Sequence, residues 1–534
     1  MLEVYNKSLK DFPPMPTPVA SPARLSGNRL LFEELSYDRA LLATESDRLV
    51  RQLTEEQRGV YDTIMGDVSS SNGGLFFVYG YGGTGKTFLW KTLSATLRSQ
   101  GEIVINVASS GIASLLLPGG RTAHSRFAIP ININEDSTCN IKPGTDLAEL
   151  ISKTKLIIWD EAPMMHKHCF EALDRTMRDL LRFSNPSSEM STFGGKTVVL
   201  GGDFRQILPV IPKGSRQDIV SSTINSSYLW SSCIVLRLTK NLRLENMEDA
   251  VEKRQVAHFA YWIASIGDGT AGPTNEDCPE VVIPDDMLLP TNGDPIATIV
   301  ENTFPMFQNG SCDNSFLESR AILAPTLDVV NAVNDYMSNL HEAESRTYLS
   351  CDSVCRTDTG SGVLADVHTP EFLNGLKASG IPNHSLTLKV GSPVMLLRNI
   401  DHSLGLCNGT RLIVTRLSEH VIEAKIMSGS HSDTRVLVPR LSLTPSDPRL
   451  PFKFNRRQFP LMLSYAMTIN KSQGQTLSHV GLLLKKPVFV HGQLYVAASR
   501  VSNPTGLKIL LCTELGSCSN QTTNVVYKEV FNNL

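Results

Sequence analysis

The 534-residue sequence holds no apolar run long enough to cross a bilayer, which takes about 20 such residues in a helix. Its first residues, MLEVYNKSLKDFPPMP, lack the apolar core of a secretory signal and the arginine-rich, acid-poor character of a transit peptide,. The chain is therefore expected to stay in the cytosol or nucleus. Charge of one sign is also missing, since 50 Lys and Arg against 53 Asp and Glu leave a net charge of −3. That balance excludes a protein that binds polyanions over its whole surface, but not one that grips nucleic acid in a local groove. The ten cysteines are scattered, and the tightest pair, Cys351 and Cys355, has no second pair at zinc spacing,. They read as reduced thiols, with no disulfide framework and no metal site.

Residues 80–87 read GYGGTGKT, which fits the phosphate-binding loop G-x-x-x-x-G-K-[ST]. Gly80, Gly82, Gly83 and Gly85 let backbone N–H groups converge on a phosphate, with Thr84 inside the nest. Lys86 would reach the β- and γ-phosphates, and the Thr87 hydroxyl would hold Mg²⁺. The setting agrees: LFFVY (75–79) predicts a buried strand, and Phe88, Leu89, Thr92, Leu93, Thr96 and Leu97 recur at helical spacing,.

Strands are predicted at Ile103–Val107, Leu156–Trp159, Thr197–Leu200 and Ile234–Leu238, alternating with helices. This is the pattern of an α/β fold with parallel sheets and ligand sites at strand C-termini. Residues 267–315 read as loops, and the α/β pattern resumes at Arg320–Ala324 and Leu327–Leu340. SLTLKV, PVMLL, RLIVTRL, VIEAKIM and TRVLVP predict a small β-barrel between 386 and 450,. Met462–Thr468, a helix from Gly492 and the strand Leu507–Leu511 return to α/β. The implied division is a Pro-rich arm at 1–27, a first domain at 28–240, and a second at 241–394 and 451–515. The second carries a β insertion at 395–450 and is followed by a loose polar tail at 516–534.

The strand KLIIW ends in Asp160-Glu161, where the first acid suits water-mediated Mg²⁺ binding and the second an attacking water. Gln206 in GGDFRQILPV is placed to sense a γ-phosphate, or is an ordinary loop residue. Arg243 and Arg500 are the two candidates for transition-state charge, although an isolated arginine is normally a surface charge. Gln57 either closes a T-x-x-Q capping box on Thr54 or presents its amide to an adenine edge. His166-Lys167-His168 looks like a helix start and not a nuclease metal pair. Phe127 and the run Phe452-Lys453-Phe454-Asn455-Arg456-Arg457 either stack on bases and hold phosphates or belong to the packing and a solvated loop. Asn470-Lys471-Ser472-Gln473 has glutamine where a guanine-reading N-K-x-D needs aspartate, which counts against a GTPase.

LTEEQ, GYGGTGKT, ASSGIAS, TAHSRF, LIIWDEAPM, GDFRQILPV, LTKNLR, YAMTINKSQGQTL and GQLYVAASRV occur in this order. The series resembles the Pif family of superfamily-one DNA helicases over roughly residues 28–515, and FGGKTVVLGGDFRQILPV looks like its Helitron-associated branch. The resemblance implies two RecA-like domains with ATP and Mg²⁺ between them and an SH3-like insertion in the second. It implies 5′-to-3′ movement on single-stranded DNA and unwinding of tailed or forked duplexes by a monomeric motor, in the nucleus or, alternatively, the mitochondrion. A DNA-stimulated ATPase without unwinding is the alternative activity. Lys86, Thr87, Asp160, Glu161, Gln206, Arg243 and Arg500 match the family's ATPase positions, and Gln57 its adenine-reading glutamine. Its DNA groove would correspond to Ser109, Ser110, Gly111, Thr122 and His124, together with Lys471, Ser472, Gln473, Gln475 and Thr476. The Ser-rich stretch SNPSSEMS (184–191) departs from the charged segment of many members.

Overall fold

The computed structural model describes residues 27–534, apart from 246, 273–279, 291–292, 306, 308–313, 356–368, 377, 379, 430, 446–449, 451, 513–519 and 533. The Pro-rich arm thus lies outside the described residues except for its last position.

Two parallel sheets organise the chain. The first contains β1 (Leu75–Gly80), β2 (Ile103–Ala108), β3 (Arg121–Thr122), β4 (Thr154–Asp160), β5 (Thr197–Gly202) and β6 (Cys233–Leu238), in the order β3-β2-β4-β5-β1-β6. Central strands carry continuous apolar runs because helices cover both faces, as a parallel sheet requires,. One face packs Phe77, Ile105, Ile157, Trp159 and Leu200, and the other Phe76, Val104, Leu156, Ile158 and Val199. The second sheet orders Ala466–Thr468, Arg320–Ala324, His479–Leu484 and Leu507–Leu511, all parallel. Both are α/β sheets, and the strand C-termini of the first carry the glycine loop and the acids to the cleft between the lobes.

Several expectations change in detail. Residues 267–315 are not all loop: Pro295–Thr303 is a helix, begun by Pro295 at its first position and capped by Asp294,. Met462–Thr468 is not one strand. Leu461–Leu463 pairs antiparallel with Pro393–Leu396, whereas Ala466–Thr468 joins the parallel sheet. The β-rich part is wider than 395–450. A five-stranded antiparallel sheet takes in Pro393–Leu396, Arg411–Leu417, Val421–Ile426, Arg435–Pro439 and Leu461–Leu463. Ser345–Leu349 pairs with Ser385–Lys389 beside it.

Within the basic-aromatic run Phe454 and Arg456 are structural, while Lys453 and Arg457 are exposed. Phe454–Gln458 is a strand, so alternate side chains turn inward,. Phe454 and Arg456 are fully buried, and Arg456 chelates Asp352 through Nε at 3.0 Å and Nη2 at 2.7 Å. Phe127 is equally buried, packed against Trp159.

Among the described residues the tail is packed. Gln521–Thr523 pairs with Glu280–Val282, and Val530 is buried in the core of the first lobe. Val525, Val526, Tyr527, Val530 and Phe531 give this stretch more apolar surface than its many Asn and Thr suggest. Among the described residues, no helix is long and apolar enough to cross a membrane, and no group of three or more His, Cys, Asp or Glu is placed to hold a metal.

Candidate functional site

β1 delivers the glycine loop, and the helix Lys86–Ser99 leaves from it. Gly85 needs its missing side chain twice over. Its φ is +82°, and a Cβ would stand 2.3 Å from Gln57 Nε2,. Gln57 is almost fully buried: its Oε1 accepts from Thr54 N at 3.1 Å, and its Nε2 donates to the carbonyls of Thr84 (3.2 Å) and Gly85 (3.4 Å). The capping-box alternative is therefore the one realised. An adenine edge would meet this amide only if one of those bonds were given up. Its neighbour Glu56 accepts from Thr239 N (2.9 Å) and Lys240 N (3.2 Å), which ties down the turn that leads to Arg243. Leu242 N in turn donates to Gly83 O at 3.0 Å, so that turn closes on the glycine loop.

Lys86 Nζ donates to Gly80 O, folding the ammonium back over its own loop. Across the sheet, β4 ends in Asp160, and Glu161 takes the left-handed conformation (φ +52°) that few residues with a side chain adopt,. Asp160 Oδ1 is buried without a hydrogen-bond partner. Burial first, then the Asp160 charge, pushes the Glu161 carboxyl up to about 7, against the opposing pull of Lys86 and Arg500. Two adjacent acids with one unsatisfied oxygen form a site suited to a cation.

A line of polar contacts runs from these acids into the second lobe. Gln206 Nε2 lies 3.5 Å from Glu161 Oε1, and Gln473 Nε2 donates to Gln206 Oε1 at 2.7 Å. Beside it, Tyr495 OH donates to Asp203 Oδ2 at 2.6 Å, and Arg205 grips Asp268 through Nε (2.6 Å) and Nη2 (2.9 Å). Burial raises the Asp203 carboxyl. Arg500 is nearly buried at the end of the helix Gln493–Ala498, donating to the carbonyls of Val496 (2.9 Å) and Gln475 (2.9 Å).

One cleft of about 520 Å³ collects these groups. Gly82, Gly83, Gly85, Lys86, Thr87, Asp160, Glu161, Gln206, Arg243 and Arg500 all line it. Gly80 and Thr84 support the loop from behind, with Thr84 Oγ1 donating to Tyr81 O at 2.9 Å.

The expected DNA residues divide into two groups. Parallel pairing of Ala108 with Thr122 sets Ser109, Ser110 and Gly111 beside Thr122 and His124 at the sheet edge. Ser110 caps the helix Gly111–Leu115, and Ser109 Oγ accepts from Trp159 Nε1 at 3.1 Å. His124 is half-buried, and burial lowers its pKa. The second group comes from the other lobe and abuts the first, a Cβ on Gly474 standing 3.5 Å from Ile112. Ser472 and Gln473 are buried, Gln475 and Thr476 line the nucleotide-sized cleft, and burial lowers the Lys471 pKa. The short 3-10 turn Ile469–Ser472 draws this segment inward, where Arg500 holds its carbonyls. Gln473 faces Gln206, so the sequence expectation of an exposed phosphate contact is corrected there. Asp203, Tyr495, Asp268 and His491 are site-forming residues that sequence reasoning missed. Asp203 lay within a motif, but its partner is 292 residues away, and no local pattern signals such a pairing.

Comparison with known proteins fits this geometry. The family model described as PIF1-like helicase matches residues 52–277, and that of the DNA helicase Pif1 2B domain matches 371–417. The chain is similar to the ATP-dependent DNA helicase PIF1 of Xenopus laevis, 26% identical over 472 residues, covering 86% of this chain and 61% of that protein. Its counterpart in Danio rerio is 27% identical over 495 residues, covering 90% and 64%. The chain thus spans less than two thirds of the length of these relatives. Among solved structures, Bacteroides Pif1 bound to single-stranded DNA superposes with a TM-score of 0.59 at 24% identity, covering 90% of this chain and 93% of that one. Pif1 helicase from Candida albicans gives 0.57 at 23%, covering 90% and 98%. These superpositions show a shared fold.

Proposed function

Because the chain belongs to the PIF1-like helicase family, we propose that it is an ATP-driven DNA helicase that moves 5′ to 3′ on single-stranded DNA. The observation that carries this reading is the single cleft in which Lys86, Thr87, Asp160 and Glu161 of one lobe meet Arg500 of the other. A site split between lobes couples hydrolysis to their relative motion, which a simple kinase does not need.

In this reading the glycine loop and Lys86 hold the β- and γ-phosphates. Thr87 and Asp160 would hold Mg²⁺, and the unpartnered Asp160 Oδ1 fits that role. The ion would supply charge neutralisation between the phosphates. Glu161 orients the attacking water and takes its proton, with Gln206 steering the carboxylate. Arg243 and Arg500 meet the charge that spreads over the transferred phosphoryl group. Single-stranded DNA crosses the edge formed by Ser109–Gly111 and Thr122–His124, and contacts there hold the backbone without reading sequence. The β-rich part of the second lobe, matched in part by the 2B model, is the SH3-like insertion. A single chain is the translocating unit, although a neighbour structure is described as two coordinating Pif1 helicases at forked duplex DNA.

A strand-displacement assay on 5′-tailed, 3′-tailed and forked duplexes tests this. ATP-dependent separation of the 5′-tailed and forked substrates is expected, and Lys86→Ala should abolish it. Unwinding only from a 3′ tail would overturn the polarity. Hydrolysis stimulated by DNA without strand separation would leave an ATPase that remodels and does not unwind.

A further inference from the structure

The tail passes from one lobe to the other behind the Phe204–Gln206 loop. Gln521–Thr523 is a strand on the second lobe. Asn524, almost fully buried, donates to Ile266 O at 2.8 Å, and Val525 O accepts from Gly492 N at 3.2 Å. The chain then enters the first lobe. Arg216 pairs with Glu529 at 3.0 Å, Asn225 Nδ2 donates to Val530 O at 2.8 Å, and Val530 is fully buried.

His491 sits at the crossing point with no exposed surface. Its Nδ1 accepts from Tyr527 N at 2.8 Å, and its Nε2 donates to Phe204 O at 2.7 Å. The rings of Tyr527 and Phe531 lie against it at 5.4 and 6.2 Å. One neutral imidazole therefore joins three elements. Phe204 stands two residues before Gln206, Tyr527 belongs to the tail, and Gly492 opens the helix that leads to Arg500.

We propose that residues 521–532 are a strap pinned at His491, and that His491 is a positioning residue that holds the Phe204–Gln206 loop in register with the helix that leads to Arg500. The inference rests on the motor reading of the cleft. Displacement of Gln206 by a bound γ-phosphate pulls on Phe204 and, through the imidazole, on the tail. The strap in turn limits how far the two lobes separate between turnovers.

The test uses the full chain. Amide hydrogen exchange in 521–532 is measured with and without ADP–aluminium fluoride, nucleotide binding being confirmed with a fluorescent ADP. ATP turnover is measured for the wild type, His491→Ala, His491→Gln and Val530→Ala/Phe531→Ala. Bound nucleotide should change tail exchange by about fivefold or more. His491→Ala and the double variant should lower kcat about fivefold to tenfold with KM within about twofold, because the glycine loop is untouched. His491→Gln, which keeps a donor toward Phe204, should recover a large part of the lost kcat. Tail exchange that ignores bound nucleotide in the wild type would overturn the proposal. So would a double variant whose tail exchanges freely while kcat stays at the wild-type value. A wild type that binds nucleotide without turning it over would refute the motor reading, and the exchange comparison would still decide the strap.

Discussion

Gly492→Ala should damage turnover far more than stability. Gly492 has φ +74°, and a Cβ there would stand 2.4 Å from Arg205 O and 2.7 Å from the Gln206 carbonyl carbon. Both contacts are backbone, so no rotamer change relieves them. The left-handed conformation itself costs alanine about 1–2 kcal/mol. To bring the 2.4 Å contact to ordinary van der Waals range, the Arg205–Gln206 backbone must retreat by about 1 Å,. A displacement of that size at a group that positions the reaction is worth about 100-fold in rate. We therefore expect kcat to fall about 10- to 100-fold, with nucleotide affinity nearly unchanged because Lys86 and the glycine loop lie on another strand end. Gly144→Ala is the matched control: φ is +77°, and nothing lies within 4 Å of its Cβ position. It should carry the conformational cost alone and leave turnover intact. Steady-state ATPase kinetics and thermal unfolding on both variants separate the two effects. A Gly492→Ala enzyme with kcat within twofold of wild type would refute the claim that this contact sets the position of Gln206.

Three further outcomes are expected. Asp352→Ala strands the buried Arg456 guanidinium and should cost about 3–5 kcal/mol locally, read as lost hydrogen-exchange protection in 351–354 and 454–458. His491, held neutral with its pKa pushed down to about 4 by burial, takes a proton more readily unfolded than folded. Its contribution is complete above pH 6.5 and falls by about 3 kcal/mol as pH drops from 6.5 to 4, so denaturant titrations of His491→Asn should show a shallower acid loss. Gln57→Ala should raise KM for ATP and GTP by the same factor, since its bonds go to the glycine loop. A loss confined to ATP would show that Gln57 reads adenine after all.

Much of the first lobe was legible because its signals are local. A strand, a glycine loop and a helix occupy residues 75–99, and the acids follow an apolar run, so each pattern fits within one window. Short apolar segments separated by Gly, Asn and Ser also placed the strands of the insertion. Misreadings arose where burial depends on a distant partner. Phe454 and Arg456 look like a nucleic-acid surface until Asp352, 104 residues away, is seen to neutralise the arginine. Gln473 looks like a phosphate donor until Gln206, 267 residues away, is found to accept from it. The tail looked polar because its apolar residues keep no helical period and alternate only briefly. They pack singly against surfaces that other parts of the chain supply.

The first turn of the helix Glu55–Ser70 holds two walls of the cleft with adjacent side chains. Glu56 fastens the turn leading to Arg243, and Gln57 fastens the glycine loop. Those walls are separated by more than 150 residues of sequence, yet they share a single jig. A change that rotates or frays that turn would misalign both at once, so Glu56 and Gln57 should tolerate substitution jointly or not at all. Their combined loss should fall well short of the sum of the single losses. In an evolving lineage, this pair would behave as one heritable character.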